Sequence, residues 1–197
     1  MILIILMVIA QAPMNGDGEV FSSNSVVLNE FMPHPSSSCT EADGEWIELY
    51  NNTSEWINLS DWVVENNYGE EITLATYLLP PDGYYVLGGC GDESLNGGLE
   101  PDYVYSSFTI HETGSIAIFN RSRLLIDKIE YDSSWPIQAG ISCERINPGW
   151  VSNLVSTWDP ATLTFGNGDM GTPGARNSVY VNSFAQNSWA FIKAFVQ

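Results

Sequence analysis

The stretch Gly44-Glu45-Trp46-Ile47-Glu48-Leu49-Tyr50-Asn51, followed closely by Trp56-Ile57-Asn58-Leu59-Ser60-Asp61-Trp62, decides the fold. Both halves alternate with the period of a strand. In the first, Ile47 and Leu49 share one face while Trp46, Glu48 and Tyr50 share the other. In the second, Ile57 and Leu59 alternate with Asn58 and Ser60. The polar Asn51-Asn52-Thr53-Ser54 between them has the length of a hairpin loop, so the two halves are expected to pair. A hairpin with an apolar face needs a second layer to cover it, which makes a sandwich the expected architecture.

The rest of the chain supports this. Ser25 to Met32 alternates as a first strand and is ended by Pro33 and Pro35. Short strands are expected at 72–74 and 84–87, the latter entered by the turn Leu79-Pro80-Pro81-Asp82-Gly83. Residues 103–110 read as extended. Residues 115–119 and 124–131 flank Asn120-Arg121-Ser122-Arg123 as a second hairpin, and 141–146 form a last strand. About eight short strands with turn residues between them describe an all-β sandwich.

Four segments follow. Residues 1–12 are an apolar run closed by Ala10-Gln11-Ala12, expected to be a secretory signal or an N-terminal anchor. Residues 13–24 are a polar linker, and residues 25–177 are the sandwich. Residues 178–197 form an apolar tail with Val181, Phe184, Ala185, Trp189, Ile192, Phe195 and Val196 at helical spacing, expected to dock on a surface. The chain is therefore expected to be exported, at the cell surface or outside the cell.

Charge narrows the partners. With 24 acidic residues against 6 basic ones, the net charge is -18. Phosphate-rich nucleic acid and anionic membrane surfaces need the opposite balance. Membrane contact is expected only through the N-terminal segment or the C-terminal tail, and the expected partner is a protein or another cell-surface ligand.

Candidate site residues are sparse. Of the 3 cysteines, Cys39 and Cys90 lie in Gly/Ser-rich surroundings and are the expected disulfide pair of an exported protein, with free thiols as the alternative. Cys143 reads as a small buried residue. His34 and His111 are far apart and fit no zinc or metalloprotease spacing. Gly166-Asn167-Gly168-Asp169-Met170-Gly171 spells a phosphate-loop pattern, but Pro173 blocks the helix such a loop requires. Asp43, Glu45 and Asp61 are candidate calcium ligands, with turn and surface roles as the alternative. Glu30 and Glu48 could be a glycosidase pair but are expected to hydrogen-bond loop backbone or face water. Trp46, Trp56 and Trp62 could stack on sugar rings or pack in the core. N-x-[ST] sequons stand at Asn51, Asn52, Asn58 and Asn120.

Several stretches together resemble the lamin-tail domain family. They are Leu28-Asn29-Glu30-Phe31, Gly44 to Asn51, Ile57 to Trp62, Leu79 to Leu87, Ile126 to Tyr131, Ser142-Cys143-Glu144-Arg145 and Thr172-Pro173-Gly174-Ala175-Arg176-Asn177. The resemblance runs over residues 25–177 in the family's order and implies an immunoglobulin-like β-sandwich. It is closest in style to the prokaryotic, exported branch, whose members are often joined to nuclease or other extracellular domains. It carries over no catalytic residues and no cofactor. The expected function is a non-enzymatic interaction or adhesion module. Two alternatives are an accessory domain of an exported nuclease or other hydrolase, and a calcium-stabilised or carbohydrate-binding cell-surface module.

Overall fold

The computed structural model describes residues 24–182. In chain order its first half contains β1 (Val26–Met32), a one-turn helix α1 (Glu41–Gly44), β2 (Trp46–Asn51), β3 (Ile57–Asn58), β4 (Val63–Asn66), β5 (Glu71–Thr73) and β6 (Leu78–Leu79). Its second half contains β7 (Tyr84–Gly88), β8 (Tyr103–Val104), β9 (Gly114–Phe119), β10 (Leu125–Tyr131), β11 (Cys143–Arg145) and β12 (Trp158–Pro160). A six-stranded sheet runs β12-β11-β1-β2-β7-β8, a four-stranded sheet runs β10-β9-β4-β5, and β3 pairs with β6. The all-β sandwich is borne out, with more and shorter strands than the sequence reading anticipated. Of the expected segments, 1–12, most of the linker and most of the tail lie outside the described residues. Among the described residues no helix is long and apolar enough to cross a membrane.

One expected pairing fails. β2 does not pair with the chain that follows it, because both its edges are occupied, by β1 on one side and β7 on the other. Instead Asn51 turns a corner. Its Nδ2 donates to the carbonyls of Glu55, Leu79 and Pro80 at 2.8, 3.2 and 2.9 Å. The chain then delivers β4 to the other sheet, between β9 and β5. The second expected hairpin is present as the antiparallel pair β9–β10.

The main core lies between the sheets. Val26, Leu28, Phe31, Ile47, Leu49 and Leu87 from the larger sheet meet Val64, Ile72, Ile116, Ile118, Ile126 and Ile129 from the smaller, all buried. Each such side chain is worth roughly 1.5–3 kcal/mol of burial, which is what drives the sheets together. Phe31, Tyr131, Trp135 and Trp158 form an aromatic group at one end, with Phe31–Trp158 at 5.7 Å and edge-on. A second, smaller cluster of Met32, Trp46, Val86 and Leu99, backed by Phe165, covers part of the outer face of the larger sheet.

A bulge sets the phase of β1. Leu28 pairs with Leu49 and Glu30 with Glu48, so Asn29 is the extra residue. Without it, Glu30 would share the inward face of Leu28. With it, Glu30 turns outward and Phe31 returns to the core.

Candidate functional site

The bulge assembles a row of carboxyl groups on the outer face of the larger sheet. Glu30 lies opposite Glu144 on β11 and opposite Glu48 on β2, and paired residues project to the same side. All three are fully buried. Their cover is the segment 171–179, which crosses the row and feeds it donors. Thr172 N–H donates to Glu30 at 2.9 Å, Gly174 N–H to Glu48 at 2.6 Å, and Val179 N–H and Ser178 Oγ to Glu144 at 3.0 and 2.7 Å. Asn29, the bulge residue, bridges Glu48 and Asn177 through its Nδ2, both at 2.7 Å. Gly171 is required here by close approach, since a Cβ on it would lie 2.9 Å from Glu30 Oε1.

Burial dominates the acidities. It pushes the Glu30 carboxyl up to about 8, helped by the charge of Glu144 and opposed by hydrogen bonds from Ser142 and Thr172. Burial, with Glu30 beside it, also raises Glu48 well above the carboxylate range. A glycosidase pair must reach a substrate; these groups are covered, so the outcome matches the backbone-bonding role expected of them.

Beside the row the outer face opens into a cleft lined by Asn29, Tyr50, Tyr84, Pro148, Arg176, Asn177 and Tyr180, enclosing about 40 Å³. Tyr50 and Tyr84 are cross-strand partners with ring centroids 5.1 Å apart. Tyr50 Oη donates to Asp82 at 2.8 Å. The Arg176 guanidinium lies 4.9 Å above the Tyr180 ring and also faces the Tyr84 hydroxyl. Its described partners are thus aromatic, whereas Arg123 pairs with Glu71 and Lys128 with Glu130. Arg176 thus sets its charge against a ring and a phenol hydroxyl rather than against a carboxylate.

The residues singled out in the sequence are not brought together as a site. Asp43 Oδ2 accepts from Thr40 Oγ1 at 2.6 Å in the helix cap. Glu45 is buried, accepts from Ile110 N–H at 3.0 Å, and is raised to about 7 by burial. Asp61 sits at a turn with φ 60. Among the described residues no group of three or more His, Cys, Asp or Glu could hold a metal ion. Cys39 and Cys90 carry free thiols, and Cys143 is buried in the core.

Two sequons are corrected by burial. Asn51 and Asn120 are both fully buried and committed to turns, Asn51 through the corner described above and Asn120 by accepting from Ser122 and Leu124 N–H, each at 3.0 Å. Neither can carry a glycan in the folded chain. Asn52 and Asn58 are exposed. Trp46 and Trp62 are core residues, so of the three tryptophans only Trp56, 61% exposed, offers a face to solvent.

His34 pairs with Glu41 at 2.5 Å, and His111 packs on Tyr68 at 3.9 Å. The 166–171 loop closes on itself and holds Asp169, whose carboxylate accepts from Ser36 and Ser37 N–H at 3.0 and 3.2 Å. The tyrosine–arginine cleft had no signature in the sequence. Its parts come from β1, β2, β7 and residues 148–180, and no spacing rule joins them.

A family model described as Lamin Tail Domain matches residues 19–133. No match is found among curated proteins. The family match stops short of β11, β12 and the segment that covers the carboxyl row.

Proposed function

The chain belongs to the lamin-tail domain family, and on that premise we propose that it is an exported, non-enzymatic interaction module whose contact surface is the tyrosine–arginine cleft. The family's immunoglobulin-like fold commonly serves as an interaction module. The observation that carries the reading is Arg176, a cation mounted on Tyr180 beside Tyr84 and Tyr50 on a chain of net charge -18. Such a group selects a partner that presents an acidic group next to a flat or apolar body, and the surrounding negative charge discourages non-specific anion binding. The buried state of Glu30, Glu48 and Glu144 supports a scaffold role for the carboxyls rather than a catalytic one. Export is supported by the apolar run 1–12 and by the branch of the family that the chain resembles.

Panels of acidic and neutral oligosaccharides and of acidic peptides, displayed on a surface, test the cleft against the full chain and its Arg176→Gln variant. Retention of an acidic probe by the native chain and at least tenfold weaker retention by the variant is the expected result. Equal retention by both overturns the assignment. Turnover of an ester, phosphodiester or glycoside by purified protein, abolished by one substitution, overturns the non-enzymatic reading.

A further inference from the structure

The segment over the carboxyl row contains a hydrogen-bond count that neutral donors alone cannot satisfy. Thr172 Oγ1 lies 3.0 Å from Glu30 Oε2 and 2.9 Å from Glu144 Oε1. A hydroxyl carries one hydrogen and can donate to only one of the two. The other contact is a hydrogen bond only if a carboxyl is protonated and donates to the threonine oxygen. On its other side Glu30 Oε1 accepts from Ser142 Oγ.

We propose that residues 171–179 form a proton-locked strap: a proton shared among Glu30, Thr172 and Glu144 holds this segment on the sheet, and its loss releases the segment. Three adjacent carboxylates with no cation among them repel one another in a buried setting, so full ionisation is relieved by admitting water, and the strap is what must lift to admit it.

Among the described residues the surroundings offer no substitute charge. On β12, Asp159 stands opposite Glu144 and is another acid, not a base. On β11, Cys143 and Arg145 flank Glu144 but lie on the inner face, where Arg145 is committed to Asp127 at 3.0 Å. On β2 and β7, Tyr50 and Tyr84 are neutral phenols, pushed upward by burial, with Asp82 beyond them on Tyr50. Within the strap itself the one cation, Arg176, is turned onto Tyr180. Asp169, just before the strap, is held by the Ser36–Ser37 backbone. Burial and the charge of Glu144 hold Glu30 protonated up to about 8, which places release in mildly alkaline solution.

Release has a consequence for the cleft, since Arg176, Asn177 and Tyr180 form its wall. That consequence rests on the proposed function; the strap itself does not, and its test uses no ligand. Amide hydrogen exchange of the full chain at pH 6 and pH 9, corrected for intrinsic rates, reads Thr172, Gly174 and Val179 directly. At least tenfold loss of their protection at pH 9, with β1 and β2 amides still protected, is expected. Glu30→Gln, which keeps a neutral donor in place, is expected to retain strap protection at pH 9. Unchanged protection at pH 9 overturns the proposal, as does equal loss in the variant or loss across the whole sandwich. Should the variant not fold, the carboxyl carbon of Glu30 in the native chain decides by its own titration. A midpoint near 8 upholds the lock, and one near 4.5 removes it.

Discussion

Two sets of buried carboxyl groups are satisfied in two different ways. Between the sheets, Asp127 of β10 meets Arg145 of β11 at 3.0 Å and accepts from Leu28 N–H at 3.0 Å and from Ser152. Arg145 in turn donates to the carbonyls of Leu28 and Trp150. On the outer face, Glu30, Glu48 and Glu144 have no cation among the described residues, and N–H and O–H donors with the proton held at Glu30 take its place. The difference follows from what each site can be given. Two facing sheets can each contribute a side chain, acid from one and base from the other. The outer row comes from one sheet, and the strap that crosses it brings mainly backbone and hydroxyl donors. A carboxylate paired with a base does not rely on a bound proton, whereas the outer row does.

The largest test of this contrast removes the base. Arg145→Leu leaves Asp127 buried without its partner, and denaturant unfolding is expected to show a loss of about 3–5 kcal/mol. A neutral effect would mean that the two sites are not different in kind.

The second test is pH. A folded state that holds Glu30 neutral up to about 8, against 4.5 for the free group, binds the proton more tightly than the unfolded chain does. The contribution is complete below pH 4.5 and is lost as pH rises through about 8, with a slope of up to about 1.4 kcal/mol per pH unit in between. Glu45, raised to about 7, acts in the same direction over a narrower window. Melting temperature should therefore fall from pH 5 to pH 8, and Glu30→Gln should flatten that fall. A melting temperature that climbs over this range contradicts a Glu30 held protonated by the fold.

A steric test follows. Gly171→Ala drives a methyl group against Glu30 and should cost about 1–3 kcal/mol in thermal or denaturant unfolding, with strap amides exposed first. The smallest effect on stability is expected from Arg176→Gln, which is exposed. Its unfolding midpoint should change little while any cleft binding is lost, separating the cleft from the row beneath it.

The two expected hairpins show how far local sequence reaches. Around Asn120 the loop closes on itself. Arg123 takes φ 58, Arg123 N–H donates to Asn120 O at 2.8 Å, and Asn120 N–H donates to Leu124 O at 3.0 Å. Everything that shapes the turn lies within a few residues, so β9 and β10 were legible in the sequence. Asn51 heads an equally polar loop, yet its Nδ2 reaches Leu79 and Pro80. β2 was already flanked by β1 and β7, and no local pattern records that its edges are taken. The same limit hid the glutamate row, because a simple alternation from Leu28 places Glu30 inside and only the pairing with β2 reveals the extra residue.

By itself the sequence determined an all-β sandwich, since alternation and turn residues are local, its family, through the order of its short motifs, and its acidic balance. Only the tertiary structure decided which strands share a sheet, that Asn51 and Asn120 are buried, and that Tyr50, Tyr84, Arg176 and Tyr180 line one cleft. It also decided that three distant glutamates lie side by side beneath a single strap. The reason is physical: edge pairing and burial are settled by competition among segments far apart in the chain, and a residue's neighbours in sequence do not carry that information.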